Sequence, residues 1–123
     1  MAERTVKRVL IVDDDFSLLE ALSRVLRDGG LEVVAHSTFE GGREAIRTGQ
    51  FDALLTDVRL GAFNGIQLAV VARDTDPNIR IIVFSGFDDP VLRSDAEHLD
   101  ALYLVKPVTG GQMLRELGVE APY

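Results

Sequence analysis

The chain has 123 residues and no cysteine, so it is long enough for one domain with its own hydrophobic core, and disulfides and thiolate metal sites are excluded. Hydrophobic residues make up 46% of the chain and the net charge is −7, which is typical of a folded protein and unsuited to direct nucleic-acid binding, because phosphate contacts need a basic surface. No apolar run reaches membrane-spanning length and residues 1–5 lack the apolar segment of a signal peptide, so we expect a soluble cytoplasmic protein without membrane contact.

Short apolar runs alternate along the chain with segments of helical periodicity. The apolar runs predict five buried strands, over residues 7–12, 31–35, 53–57, 79–85 and 101–105. The periodic segments predict five helices, one carrying Leu18, Leu22 and Val25 that ends at Gly29, then residues 39–48, 66–73, 90–98 and 109–117. Asp88 or Asp89 is expected to cap the fourth helix. Two glycines in the fifth helix, Gly110 and Gly111, are expected to weaken it by roughly 1 kcal/mol each relative to alanine.

Strands that alternate with helices predict a parallel sheet with helices on both faces. Right-handed crossovers and short connections leave few topologies, and a flavodoxin-like strand order suits a chain of this length. We therefore expect an α/β protein, a flavodoxin-like (βα)5 three-layer sandwich whose five parallel strands have the order 2-1-3-4-5. No linker or repeat interrupts the chain, so residues 1–123 are predicted to form a single domain.

Polar and charged side chains follow four of the predicted strands at the point where each ends. They are Asp13, Asp14 and Asp15 after the first strand, Asp57 at the end of the third, Ser85 at the end of the fourth and Lys106 after the fifth. Because parallel strands end at one edge of the sheet, these groups should converge on one crevice. Clustered carboxylates repel one another unless a cation intervenes, and Mg²⁺ prefers such oxygen ligands. With Mg²⁺ and Lys106 nearby, a carboxylate could accept a phosphoryl group.

Each of these residues also has an ordinary structural explanation when it is considered alone. Asp57 could be a strand-end cap, and an Asp-Asp pair after a strand is usually a helix cap or a solvated turn. Ser85 could be a strand-end hydroxyl that bonds to backbone, and Lys106 could be a surface lysine. Tyr103 could be a half-buried strand residue with its hydroxyl at the rim. Only the joint pattern favours a functional site.

Four short motifs carry that joint pattern: Val12-Asp13-Asp14-Asp15, Asp57 followed by Leu60 and Asn64-Gly65, Val83-Phe84-Ser85-Gly86, and Tyr103-Leu104-Val105-Lys106-Pro107. With them, the chain resembles the receiver domains of two-component response regulators over about residues 6–117. The resemblance implies a phosphorylation-activated signalling switch rather than an enzyme, one that catalyses only its own phosphorylation and slow dephosphorylation. The partners it implies are a sensor histidine kinase or a histidine phosphotransfer protein as donor, and a downstream effector protein. A phosphorylation-dependent dimer is a further option.

The resemblance also assigns roles to residues of the acid cluster. Asp57 would be the phosphoacceptor, and Lys106 would pair with the phosphoryl group. Mg²⁺ would be bound by Asp14, Asp57 and the backbone carbonyl of Arg59, while Asp13 would hold a metal-bound water.

A second set of roles concerns the switch and its lifetime. Ser85 would be the switch hydroxyl, and Tyr103 would be the aromatic residue that turns inward behind it. The residues two beyond the acceptor and two beyond the hydroxyl, Arg59 and Phe87, would flank the approach of water to the phosphorus. Neither is suited to orient a water molecule, so slow self-dephosphorylation is expected.

The sequence departs from the receiver pattern at two turns. Gly61 occupies a position where proline is common, so this loop is expected to be looser. Asp100 occupies a position where glycine is usual, but aspartate tolerates the left-handed conformation better than most residues, and the turn should survive.

Two other functions remain open from the sequence. Asp13 and Asp15 formally supply the Asp-x-Asp arrangement of an aspartyl-phosphate phosphohydrolase, although the chain has no spare length for substrate recognition. A receiver-like interaction module without phosphorylation is the second, although such a chain should have lost one of the acids, the hydroxyl or the lysine.

Overall fold

The protein is built on a five-stranded parallel sheet, as seen in a computed structural model that describes residues 5–119. The strands of this sheet are β1 (Arg8–Val12), β2 (Glu32–His36), β3 (Ala53–Asp57), β6 (Arg80–Ser85) and β7 (Leu102–Val105). Their spatial order is β2-β1-β3-β6-β7, and every neighbouring pair is parallel. Since β6 and β7 are the fourth and fifth strands of this sheet along the chain, the predicted order 2-1-3-4-5 is confirmed.

Five helices connect the strands and end close to where the sequence predicted. They are α1 (Phe16–Asp28), α2 (Phe39–Thr48), α3 (Gly65–Thr75), α4 (Pro90–His98) and α5 (Gly110–Glu116). Each helix is directly preceded by a residue whose side chain accepts a backbone N–H of the first turn, namely Asp15, Thr38, Asn64, Asp89 and Thr109. Such caps satisfy donors that the helix itself leaves unpaired. The α4 cap is Asp89, one of the two predicted candidates. None of the helices in residues 5–119 is long and apolar enough to cross a bilayer.

The helices cover both faces of the sheet and enclose two hydrophobic cores. On one face, Leu10, Leu54 and Val83 pack with residues of α2, α3 and α4. On the other, Ile11 and Phe84 pack with residues of α1 and α5. Because successive strand residues point to opposite faces and both faces are buried, the strands are continuous apolar runs. This is the three-layer sandwich that the sequence predicted.

The segment between β3 and α3 is more ordered than the predicted loop. It contains a two-stranded antiparallel hairpin, β4 (Arg59–Leu60) with β5 (Phe63–Asn64). Gly61 in its turn has φ +64°, a conformation that proline cannot adopt because its ring fixes φ near about −65°. Glycine therefore allows a turn that the usual proline would forbid, and the expectation of a looser loop stays a prediction.

The fold accommodates two residues that are unfavourable for their local structure, Asp100 and Gly110. Asp100 has φ 55°, so the left-handed turn is retained without glycine, as expected. Gly110 is a requirement of helix packing, because a Cβ atom at this position would lie 2.3 Å from Cβ of Val25 on α1. The cost of this glycine to α5 is thus linked to the close approach of the two helices.

Candidate functional site

The carboxyl edge of the sheet brings together the polar residues that follow its strands. β3 lies between β1 and β6, and β7 lies beside β6, so the ends of these four strands are neighbours. Asp13, Asp57 and Ser85 are buried there, with 0%, 6% and 5% of their surface exposed, while Asp14 faces solvent. Buried polar side chains are unusual unless they are paired or functional. The predicted convergence of these polar residues at one edge of the sheet is therefore present.

Lys106 supplies the positive charge of this cluster. Its Nζ lies 3.4 Å from Oδ2 of Asp57 and 3.6 Å from Oδ2 of Asp13. The ammonium also lies 5.7 Å from the centroid of the Phe84 ring, within the range of a cation–π interaction. The Lys106 backbone N–H donates to the Ser85 carbonyl, which fixes the lysine beside the end of β6. The side chain thus bridges the two buried carboxylates.

Burial makes both carboxylates harder to ionise. It raises the pKa of Asp13 to about 6, helped by the neighbouring charges of Asp57 and Asp14 and opposed by the Asp15 N–H and by Lys106. Burial also raises the pKa of Asp57, against the lowering effect of Lys106 and of a hydrogen bond from the Arg59 backbone N–H. One ammonium does not offset the cost of two desolvated carboxylates.

The oxygen atoms of the cluster fit a small hard cation. Asp13, Asp14 and Asp57 each offer a carboxylate oxygen, and these atoms lie within 4.8 Å of one another. Oδ2 of Asp13 is buried and accepts no hydrogen bond, although its Oδ1 accepts the Asp15 N–H at 2.9 Å. The Lys106 ammonium lies 3.6 Å from this oxygen, too far for a hydrogen bond. A buried oxygen that accepts no hydrogen bond suits a metal ligand or a metal-bound water. The assignment of the Arg59 carbonyl as a ligand stays a prediction.

The backbone of Asp57 is packed more closely than the sequence motif suggested. The Thr56 hydroxyl donates to the Asp57 carbonyl at 3.0 Å, and the Gly65 N–H donates to the Val58 carbonyl at 2.7 Å. A Cβ atom at Gly65 would lie 1.9 Å from the Asp57 carbonyl oxygen, a distance that no side chain could accept. Glycine at this position is thus required by the contact between α3 and the acceptor strand.

The predicted switch residues meet at the backbone of Phe87. The Ser85 Oγ accepts the Phe87 N–H at 3.2 Å, and the Tyr103 hydroxyl donates to the Phe87 carbonyl at 2.7 Å. Tyr103 is only 4% exposed, so the half-buried alternative is wrong. The resemblance implied that this ring turns inward behind Ser85, and the structure shows it in the inward position.

Arg59 and Phe87, which the sequence selected separately as neighbours of the water path, contact each other. The guanidinium carbon of Arg59 lies 5.5 Å from the centroid of the Phe87 ring. Both side chains are exposed, Phe87 to 65%. Their backbone amides donate to Asp57 and to Ser85, respectively. The pair therefore links the two reactive strand ends across the edge of the sheet, which neither motif could indicate alone.

Comparison with known proteins identifies the family. The sequence matches the response regulator receiver domain over residues 9–117. The chain belongs to this family. The receiver protein CpdR of Brucella abortus is 29% identical over 113 residues, which cover 91% of this chain and 94% of CpdR. The receiver protein Anae109_2439 of Anaeromyxobacter is 39% identical over 111 residues.

The chain spans only about half the length of several curated relatives that it matches. The chain spans 46% of Anae109_2439, 58% of the regulator ActR of Sinorhizobium medicae and 47% of FixJ of Azorhizobium caulinodans. Any activity of those longer proteins is therefore not carried over to this chain.

Solved structures share the fold of this receiver domain. A CheY-like receiver protein from Methanospirillum hungatei superposes with a TM-score of 0.85 at 29% identity, covering 92% of this chain and 91% of that one. A response regulator from Burkholderia pseudomallei, solved with a phosphorylated aspartic acid, a calcium ion and citrate, has a TM-score of 0.84 at 26% identity. The match covers 90% of this chain and 66% of that one.

Proposed function

We propose that this receiver domain accepts a phosphoryl group from a phosphohistidine donor onto Asp57, in a Mg²⁺-dependent reaction, and signals by binding a protein partner. The observation that carries the proposal is the position of the Lys106 ammonium, 3.4 Å from Asp57 and 3.6 Å from Asp13. The structure of the Burkholderia regulator contains a phosphorylated aspartic acid and a calcium ion, which supports an acceptor aspartate and a bound divalent cation in a protein of this fold.

The chemistry assigns one task to each side chain. An Asp57 carboxylate oxygen attacks the phosphorus and forms an O–P bond, while the N–P bond of the phosphohistidine breaks and its electron pair returns to the imidazole nitrogen. The Lys106 ammonium and the Ser85 hydroxyl stabilise the charge on the equatorial phosphoryl oxygens. Because the attacking group must be ionised and burial raises the pKa of Asp57, phosphorylation should slow as the pH falls.

Asp13, Asp14 and Asp57 would hold the magnesium ion, directly or through a bound water. When bound, Mg²⁺ would supply positive charge beside the carboxylates and the phosphoryl oxygens. The buried Asp13 oxygen without a hydrogen bond favours this role.

The proposal is tested by labelling with a small phosphodonor and Mg²⁺, followed by intact mass. The wild type should gain one phosphoryl group and Asp57→Asn should gain none. The matched control is Asp74→Asn, since Asp74 is an exposed acid on α3, and it should be labelled like the wild type. Chelation of Mg²⁺ should abolish labelling. Labelling of Asp57→Asn at the wild-type rate would refute the assignment.

We further propose that the chain is a switch and not an enzyme that turns over a substrate. Stoichiometric labelling would support this function, whereas multiple turnovers of a phosphate ester would support the phosphohydrolase alternative. The donor would be a sensor histidine kinase or a histidine phosphotransfer protein, and the output would go to an effector protein or to a phosphorylation-dependent dimer. The cytoplasmic location expected from the sequence stays a prediction.

Arg59 and Phe87 are proposed to govern the lifetime of the phosphorylated form. Water must approach in line with the O–P bond to hydrolyse it. The contact between the two side chains at 5.5 Å supports a model in which they jointly shield the phosphorus from water. Neither side chain orients a water molecule for attack. Slow self-dephosphorylation follows, so the switch would be reset mainly by a phosphatase or by back-transfer.

A further inference from the structure

Arg93 on α4 makes contacts that the proposed chemistry does not use. Its guanidinium carbon lies 4.8 Å from the centroid of the Tyr103 ring, and its Nη1 lies 3.5 Å from the Tyr103 carbonyl oxygen. On its other side, Nε and Nη2 donate to Oδ1 of Asp88 at 3.1 and 2.7 Å. An exposed ion pair contributes little stability by itself. Asp88 and the Tyr103 ring thus contact the same guanidinium group.

The side chain of Tyr103 is much more buried than those of Leu102 and Val105 on the same strand. It lies on β7, which is an edge strand of the sheet. Its strand neighbours Leu102 and Val105 are 39% and 37% exposed, but Tyr103 is 4% exposed. The covering helix α4 has one fully buried residue, Ala96. The Arg93 side chain therefore provides part of the cover of the Tyr103 ring.

The contacts that hold Tyr103 inward are separate from the acid cluster. Within residues 5–119, the cation–π contact of the Tyr103 ring is to Arg93 and the hydrogen bond of its hydroxyl is to the Phe87 carbonyl. The ring also belongs to the hydrophobic core that contains Val83 and Ala96. Phe87 in turn donates its N–H to the Ser85 hydroxyl. A continuous path thus runs from Arg93 through Tyr103 and Phe87 to the switch hydroxyl beside Asp57.

We propose that Arg93 is a positioning residue that holds Tyr103 inward and, through the Tyr103–Phe87 hydrogen bond, fixes the segment that carries Ser85. The effect on signalling rests on the proposed function, in which the inward ring belongs to the phosphorylated form. Coupling between two sites is reciprocal, so a residue that stabilises the inward ring also raises the affinity for a phosphoryl group at Asp57. A cation–π contact at a partly exposed site changes such an equilibrium by about two- to fivefold.

The position of the ring can be read from tyrosine fluorescence. The chain has two tyrosines and no tryptophan, so Tyr123→Phe leaves Tyr103 as the single reporter. In that background Arg93→Met keeps the length and the apolar stem of the side chain but removes the cation. The matched control is Arg24→Met, which removes a helix arginine that also pairs with an acid, Glu20, at 3.3 Å.

Acrylamide quenching should distinguish the two variants. We expect the quenching constant of Tyr103 to rise at least twofold in Arg93→Met and to stay unchanged in Arg24→Met. Arg93→Lys, which keeps the charge but not the planar group, should give an intermediate value. Urea denaturation of both methionine variants confirms that they are folded. Equal quenching in Arg93→Met and Arg24→Met would overturn the assignment of Arg93.

A titration with beryllofluoride in the presence of Mg²⁺ separates this inference from the proposed function. Failure of the wild type to bind would refute the phosphoacceptor function, while the quenching result would still decide whether Arg93 holds Tyr103. With binding in the wild type, Arg93→Met should weaken the apparent affinity about two- to fivefold, and Arg24→Met should not. An unchanged affinity in Arg93→Met would refute the coupling to Asp57.

Discussion

The buried carboxylate of Asp13 should make the metal-free protein less stable at neutral pH. Burial raises its pKa from 3.8 to about 6, so between these two pH values the folded state binds more protons than the unfolded state. The free energy of unfolding therefore falls as the pH rises through this range. At pH 7 the ionised group costs about 3 kcal/mol, since each unit of pKa corresponds to about 1.4 kcal/mol.

Asp13→Asn removes this charge and keeps an Oδ1 acceptor for the Asp15 N–H, which the wild type bonds at 2.9 Å. In a chelator at pH 7 we expect the variant to be more stable by up to about 3 kcal/mol, or roughly 10 °C in melting temperature for a domain of this size. The difference should fall to about half at pH 5 and to below about 1 kcal/mol at pH 4, because the wild-type carboxyl becomes protonated in the folded state.

Urea denaturation followed by circular dichroism measures these differences at each pH. Mg²⁺ should then stabilise the wild type, by about 2.7 kcal/mol at a hundredfold excess over its dissociation constant, and should stabilise the variant less. Asp14→Asn is the comparison, since Asp14 faces solvent beside the same cluster. The reasoning fails if Asp13→Asn gains no stability in chelator at pH 7, or if its gain is the same at pH 4.

Three further predictions concern the lifetime and the packing. Decay of the aspartyl-phosphate after donor removal should accelerate in Arg59→Asn and in Phe87→Asn. Because the two side chains are in contact, the acceleration in the double variant should be smaller than the product of the two single accelerations. Equal decay rates in the wild type and all three variants would contradict the proposed role of these side chains in the lifetime. Gly61→Pro should lose roughly 1–3 kcal/mol of stability in urea, because φ is +64° there, whereas Gly61→Asn should lose less. Gly110→Ala should destabilise the fold, because its Cβ would lie 2.3 Å from Cβ of Val25. The control Gly111→Ala, whose Cβ would lie 4.0 Å from Oγ1 of Thr109, should stabilise the fold by up to about 1 kcal/mol. A stability change of the same sign in both variants would refute the packing argument.

The parts of the fold that the sequence predicted are those with a strong local signal. Strands buried on both faces are continuous apolar runs, and helix caps such as Asp89 stand at fixed positions before the apolar spacing begins. The convergence of Asp57 and Lys106 also followed, because parallel strands end at a common edge. The hairpin from Arg59 to Asn64 was missed, since strands of two residues show no periodicity.

Other features depend on distances between elements that are far apart in the chain. Nothing in the sequence around Gly110 indicates that Val25 of α1 lies against it, and the stacking of Arg93 on Tyr103 joins two elements whose own patterns are unremarkable. The inward position of Tyr103 likewise depends on the Phe87 carbonyl, a backbone group that carries no side-chain signal. Such contacts can be identified only from the three-dimensional structure, although some of the residues that make them, such as Tyr103, can be selected from the sequence.

The close contact at Gly65 also has a mechanical consequence. The first residue of α3 lies against the Asp57 carbonyl with no space for even a methyl group, and its N–H is bonded to the next carbonyl, that of Val58. A tightly packed junction transmits displacement rather than absorbing it. The peptide of the acceptor and the start of α3 should therefore move as one rigid body, so that any shift of Asp57 along the sheet edge displaces α3 by a similar distance.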